Sequence, residues 1–139
     1  MSAKRFLDTN ILVYAFDATD PDRQRVASGI VEAEIRTGTL TVSLQVLQEF
    51  FAVVTRKFKT PVPARTARAA VDRFLRYNVV EPTKPMLSAA LDVTASHSIS
   101  IWDALVLVAA KSADCDVLLT EDLGHGTKVA GVRIENPFR

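Results

Sequence analysis

Short apolar runs alternate along this chain with pairs of longer segments whose apolar residues recur every three or four positions. That alternation leaves few architectures open. It favours a parallel sheet with helices on both faces, joined by right-handed crossovers. The expected order is β-α-α-β-α-α-β-α-α-β-β. Strands are expected at residues 4–8, 40–43, 78–81 and 117–120, with a short fifth strand at 129–135. The fourth is nearly all apolar, as a central parallel strand should be.

Helix boundaries follow from caps and breakers. Asp20-Pro21 is a cap residue followed by a proline whose missing N–H costs nothing, so a helix should run from there to about Arg36, with Val26, Ile30 and Val31 inward. A short helix is expected at 11–16 and longer ones at 44–58, 64–77, 84–97 and 101–113. In the helix at 64–77, Ala67, Val71, Phe74 and Leu75 should face inward; Met86, Leu87, Ala90, Leu91 and Val93 carry the apolar pattern of the next. The helix at 101–113 is apolar on most faces and should be buried against the sheet.

At 139 residues, 48% hydrophobic and 24% charged, the chain is expected to be one soluble domain spanning 1–139. The net charge of +1 does not announce a nucleic-acid binder, but its distribution is uneven. Seven basic residues and a single acid, Asp72, fall between Arg56 and Arg76. A neutral total can therefore hide a basic rim around an acidic cleft. The one cysteine, Cys115, excludes an intramolecular disulfide and suits a reducing compartment. The opening Met-Ser-Ala-Lys-Arg is followed by too short an apolar run for a signal peptide, and no window reaches ~18 continuous apolar residues. A cytoplasmic protein with no membrane segment is expected.

Four acids sit where an acid is awkward. Asp8 closes the first apolar strand. Glu49 lies between Leu47 and Phe50 on a helix. Asp103 is in the first turn of the most apolar helix, and Asp122 lies two residues past the fourth strand. Each alone has an ordinary explanation as a cap, a solvated helix residue, a dipole complement or a turn residue. Together they are more telling. Ligands and chemistry collect at the carboxyl ends of parallel strands. Asp8 and Asp122 follow such ends, Asp103 begins the helix that leads into the fourth strand, and Glu49 can lean towards the same edge. Two carboxylates ~4 Å apart repel by roughly 4 kcal/mol at an effective dielectric of about 20. Protonation or divalent cations relieve that repulsion. An all-oxygen donor set suits hard ions, Mg²⁺ or Mn²⁺, and such a site can activate water and stabilise the leaving oxygen of a phosphodiester.

Phe6-Leu7-Asp8-Thr9-Asn10-Ile11-Leu12, Glu49, Trp102-Asp103-Ala104-Leu105, the run from Leu119 to Gly126, and Asn136-Pro137-Phe138 together resemble the PIN domain, and more narrowly the VapC-type toxins of bacterial toxin–antitoxin pairs. The resemblance covers essentially the whole chain. It implies a three-layer α/β/α sandwich around a mainly parallel sheet of four to five strands. It implies a Mg²⁺- or Mn²⁺-dependent endoribonuclease acting on single-stranded or loop regions of tRNA, rRNA or mRNA. Asp8, Glu49, Asp103 and Asp122 would be the acidic, metal-holding quartet, supported by Thr120 and Asn10. A homodimer and a cognate VapB-like antitoxin, whose tail occupies the active groove, are also implied.

Other residues carry less. Arg65 and Arg68 could form part of a phosphate rim, although Arg68, Asp72 and Arg76 fall at four-residue steps and could simply pair. His125 follows Asp122 and could touch RNA. Glu121 competes with Asp122 for the fourth acidic position. Trp102 reads as packing rather than base stacking, and Cys115 as a small filler. A catalytically silent PIN-like module that binds RNA or protein is the alternative function. Phosphoryl transfer through an aspartyl-phosphate at Asp8 wants a placed lysine or a second acid two residues on, and position 10 is asparagine.

Overall fold

The computed structural model describes residues 3–139 of the chain; Met1 and Ser2, on which part of the leader expectation rests, lie outside them. The elements are β1 (Arg5–Leu7), α1 (Thr9–Ala15), α2 (Pro21–Arg36), β2 (Thr41–Ser43), α3 (Leu44–Arg56), α4 (Ala64–Phe74), β3 (Asn78–Val80), α5 (Lys84–Ser96), α6 (Ile101–Ser112), β4 (Val117–Leu119), β5 (Lys128–Val129) and β6 (Val132–Glu135). The mainly parallel α/β architecture is as expected. A four-stranded sheet runs in the order β1-β4-β6-β5, and β2 pairs with β3 separately. β1–β4, β4–β6 and β2–β3 are parallel; only β5–β6 is antiparallel. None of the described helices is long and apolar enough to cross a membrane.

The core is built by the strands and the helix faces laid on them. Phe6, Leu7, Leu118, Leu119 and Ile134 are fully or almost fully buried, and Leu12, Val46, Phe50 and Leu107 close over them from the helices. Phe50 makes edge-to-face contacts with Phe16 and Phe74, tying α3 to the end of α1 and to α4. Helix starts follow the cap chemistry in the sequence. Asp20, Ser43, Thr83 and Ser100 each accept a backbone N–H from the first turn of α2, α3, α5 and α6.

The structure departs from expectation at three places. The fifth strand at 129–135 is a hairpin. Ala130 and Gly131 both take positive φ, 52° and 82°, and reverse the chain so that Val129 pairs with Val132. A two-residue turn of that kind matches strand twist, and glycine adopts it without cost. The buried stripe of α2 is Ala27, Val31 and Glu34, with Val26 and Ile30 only half-buried. It is rotated from the apolar reading because Glu34 is drawn in by Arg5 at 3.2 Å. Finally, Leu75, Leu87 and Leu91 are exposed, although their spacing matches an inward face. α4 stops at Phe74, before Leu75, and the outer side of α5 has no element packed over it.

Candidate active site

Strand register brings the first pair of site residues together. Leu7 lies opposite Leu119, and the Asp8 N–H donates to the Leu119 carbonyl at 3.0 Å. Asp8 and Thr120 therefore leave adjacent strands side by side at their carboxyl ends. The Thr120 hydroxyl donates to Asp8 Oδ2 at 2.8 Å, and the Thr9 N–H donates to Asp8 Oδ1 at 2.7 Å. Asp8 is thus also the N-cap of α1, so its ordinary explanation holds.

Thr120 uses all of its hydrogen-bonding capacity. Besides donating to Asp8, its hydroxyl accepts from Asn10 Nδ2 at 3.2 Å and from the Asp122 N–H at 3.1 Å. Asn10 also donates to Asp122 Oδ2 at 3.1 Å, while its Oδ1 accepts the Glu121 N–H. This knot fixes Asp122 relative to Asp8. Thr120 and Asn10 lie between Asp8 and Asp122; Thr120 bonds to both of them and Asn10 to Asp122.

Glu49 arrives from α3 and is held at both oxygens. The Thr9 hydroxyl donates to Oε2 at 3.1 Å, and Gln45 Nε2 donates to Oε1 at 3.1 Å. Gln45 Nε2 also reaches the Trp102 carbonyl at 3.4 Å, which connects α3 to the first turn of α6 where Asp103 stands. Gln45 was not singled out in the sequence, and Thr9 stood there only as a cap type within the first motif; the cap is Asp8. Gln45 sits one turn before Glu49, a spacing that places two helical side chains together, but it is one of several polar residues on α3. The Thr9 contact spans 40 residues and has no local signal.

The four acids form a gradient from floor to rim. Asp8 is 6% exposed, Asp103 is half-buried, and Glu49 and Asp122 are exposed. Burial pushes Asp8 up from its ordinary value to about 6; the Thr120 and Thr9 hydrogen bonds oppose this, and the charges of Asp122 and Asp103 add to it. Asp103 is raised by burial and by the charge of Asp122, opposed by Ser100, with Glu49 adding to the rise. The acids therefore sense one another across the cleft. Among the described residues, none of the four has an Arg, Lys or His partner in an ion pair. Among the described residues, no three His, Cys, Asp or Glu side chains lie close enough together to hold a metal ion by themselves. The arrangement is an open carboxylate cleft.

The remaining candidates fall outside it. Glu121 points away: Tyr14 Oη donates to its Oε1 at 2.8 Å, and Arg23 lies 3.8 Å from its Oε2. This leaves Asp122 as the acid held in the knot. His125 Nδ1 accepts the Asn136 N–H at 3.0 Å, pinning the loop after Asp122 to the C-terminal segment. Arg65 and Arg68 are exposed on α4, and Arg68 pairs with Asp72 at 3.2 Å, as its spacing allowed. Cys115 is buried, and burial raises its thiol to about 11, which suits a filler. Trp102 is 62% exposed, against the expectation that it packs.

The site is thus a set of carboxylates at the carboxyl ends of the parallel strands of an α/β fold. The PIN domain profile matches residues 5–127, and the chain belongs to the PIN domain family. Among curated proteins, none matches the chain in sequence. Solved structures share the fold. A toxin–antitoxin complex from Klebsiella pneumoniae superposes with a TM-score of 0.69 at 19% identity, covering 98% of each chain. DNA-bound VapBC from Salmonella typhimurium gives 0.68 at 19% identity, covering 98% of this chain and 99% of that one. The VapC20 toxin of Mycobacterium tuberculosis, a sarcin–ricin loop cleaving toxin, gives 0.67 at 17% identity, covering 85% and 89%.

Proposed function

We propose that this PIN domain is a Mg²⁺- or Mn²⁺-dependent endoribonuclease of the VapC type, the toxin of a toxin–antitoxin pair. The observation that carries the reading is the quartet: the charges of Asp122 and Asp103 bear on the buried Asp8, those of Asp122 and Glu49 bear on Asp103, and among the described residues none of the four is paired with a protein cation. The donor set fits a small hard ion. Mg²⁺ keeps several of its waters and is usually bound through only one or two carboxylates plus substrate phosphates, so an open cleft suits it better than a closed cage. Asp8 and Asp122 would hold the ion, with Glu49 and Asp103 completing its surroundings. A bound cation would supply Lewis acidity towards a phosphodiester and the water that attacks it.

The chain's own part is positional and electrostatic. The Thr120 hydroxyl keeps Asp8 Oδ2 an acceptor, because both hydroxyl lone pairs are already taken by Asn10 and Asp122. Asn10 turns one Asp122 oxygen inward. Thr9 and Gln45 fix the plane of the Glu49 carboxylate. The exposed rim acids leave the mouth of the cleft open to a flexible strand, which supports single-stranded or loop RNA as the substrate class.

The structures of VapBC complexes that share the fold support a VapB-like antitoxin partner. The exposed Leu87 and Leu91, one turn apart on α5, support a homodimer. On this reading the protein is cytoplasmic and residues 1–139 are a single domain. The deciding experiment is RNA cleavage by purified protein in Mg²⁺ or Mn²⁺, compared with EDTA and with Asp8→Ala. Cation-dependent cleavage that Asp8→Ala abolishes, with circular dichroism unchanged, is the expected result. Full activity in the variant or in EDTA would refute the assignment. Cation binding by calorimetry with no cleavage of any RNA would instead favour a silent binding module.

A further inference from the structure

Trp102 is the most exposed large apolar side chain of the described residues. It does not stand on a loose loop. It occupies the first turn of α6, whose start is capped by Ser100 accepting the Asp103 N–H at 3.1 Å. Its carbonyl accepts from Gln45 Nε2, the same group that holds Glu49. An exposed indole therefore stands on capped helical backbone, next in sequence to one acid of the cleft, with its carbonyl one hydrogen-bonded step from another. Packing does not account for it, because nearly two thirds of its surface faces solvent.

We propose that Trp102 is a nucleobase platform, stacking the base of a nucleotide next to the cleaved phosphodiester. This rests on the endoribonuclease reading. Single-stranded RNA is held by stacking its unpaired bases on aromatic side chains, while its backbone follows the charged groups. A base on the indole would leave the neighbouring phosphate on the side of the cleft where Asp103 and Glu49 stand. An apolar protein side chain seated on the same spot would strip water from those two carboxylates with nothing to replace it. The chemistry beside the indole thus favours a base over a protein anchor. Trp102 is in this view a substrate-positioning residue with no part in bond breaking.

Trp102 is the only tryptophan, so the protein's own fluorescence reports on it alone. The wild-type chain would be titrated in Ca²⁺ buffer with a labelled oligouridine and with an abasic oligonucleotide of equal length, with binding followed independently by anisotropy of the label. Stacking predicts that the base-bearing strand quenches the emission and the abasic strand does not. In cleavage assays, Trp102→Ala should raise KM about ten-fold or more, the scale of one lost base stack, while Trp102→Phe keeps most of the affinity. kcat should change little, because stacking is the same before and during reaction. Unchanged emission while anisotropy shows binding would overturn the proposal. So would a wild-type KM in Trp102→Ala, even with cleavage still lost in Asp8→Ala, in which case the nuclease reading survives alone. An emission shift that depends only on protein concentration would assign the surface to a second copy and also overturn it. If the wild-type chain neither binds nor cleaves RNA, both readings fail together.

Discussion

At the start of β1, Glu34 is 9% exposed and lies 3.2 Å from the Arg5 guanidinium; at the end of the same strand, Asp8 is 6% exposed and has no ion-pair partner among the described residues. The acids are buried to a similar degree, only three residues of strand apart, and their surroundings are opposite in kind. The amino end of the sheet neutralises its acid with a cation encoded in the chain. Nearby, Asp116 accepts the Lys4 N–H and the Lys4 ammonium reaches the Ala113 carbonyl, so charge and dipole are matched locally. At the carboxyl end the charges of Asp122 and Asp103 bear on Asp8 and that of Glu49 bears on Asp103, and among the described residues the side-chain and backbone donors to Asp8, Glu49 and Asp122 are neutral. The two poles thus treat a buried acid differently: one pairs it with a guanidinium, the other surrounds it with neutral donors and further acids.

The sharpest way to break this contrast is to build a cation into the acidic pole. Asn10→Lys puts an ammonium where the amide now meets Asp122 and Thr120. Cleavage should fall by more than about 100-fold, beyond what loss of a neutral supporting group brings, and Mn²⁺ should no longer raise the melting temperature. The second test is pH. In the cation-free protein Asp8 holds its proton more tightly folded than unfolded, with a value of about 6 against an ordinary 3.8. Its stabilising contribution is therefore full below about pH 4 and is lost as pH rises through 6, on the order of 3 kcal/mol in total. Urea unfolding in EDTA should show this decline, and Mg²⁺ or Mn²⁺ at neutral pH should reverse it. A flat profile between pH 4 and 7 would remove the cost assigned to Asp8.

Smaller effects sharpen the comparison. Thr120→Val removes the donor that opposes the rise at Asp8 and frees Asn10 and Asp122 from their shared acceptor. Activity should fall roughly 10- to 100-fold, the usual scale for a group behind a metal ligand, and the acid limb of the pH–rate profile should move upward. At the other pole, Glu34→Ala should cost about 1–2 kcal/mol of stability, because Arg5 keeps partial access to water, and leave cleavage per folded molecule unchanged. Arg68→Ala, which breaks an exposed pair with Asp72, should shift stability by less than about 0.5 kcal/mol. A large loss of RNA affinity in that variant would show that α4 belongs to the substrate rim.

Much of the acidic pole was legible because its signals are local. Asp8 ends an apolar run, Ser100 caps a helix three residues before its acid is held, and Asp122 trails a buried strand. Parallel topology then places these positions on one edge without any knowledge of side chains. What could not be read depends on partners distant in sequence. Thr9 meets Glu49 across 40 residues, and Gln45 meets the Trp102 carbonyl across 57. Nothing in α3 alone distinguishes Gln45 from Gln48. The hairpin between β5 and β6 was missed because Ala-Gly is a weak turn signal, and a turn with two positive φ values usually announces itself with asparagine or aspartate. Periodicity marked Leu87 and Leu91 as a face but could not say whether anything covers it. The packing expected of Trp102 failed for the same reason.

The last residues of the chain have a mechanical role. Phe138 packs edge-on against Tyr14, with the Arg23 guanidinium near both rings, and the Asn136 N–H is held by His125. Tyr14 in turn grips Glu121 next to Asp122. The tail thus works as a guy-line on the loop that carries the fourth acid. An affinity tag fused just beyond Arg139 would tug on that line, so a weakly active preparation calls for moving the tag to the other terminus before the enzyme itself is judged slow.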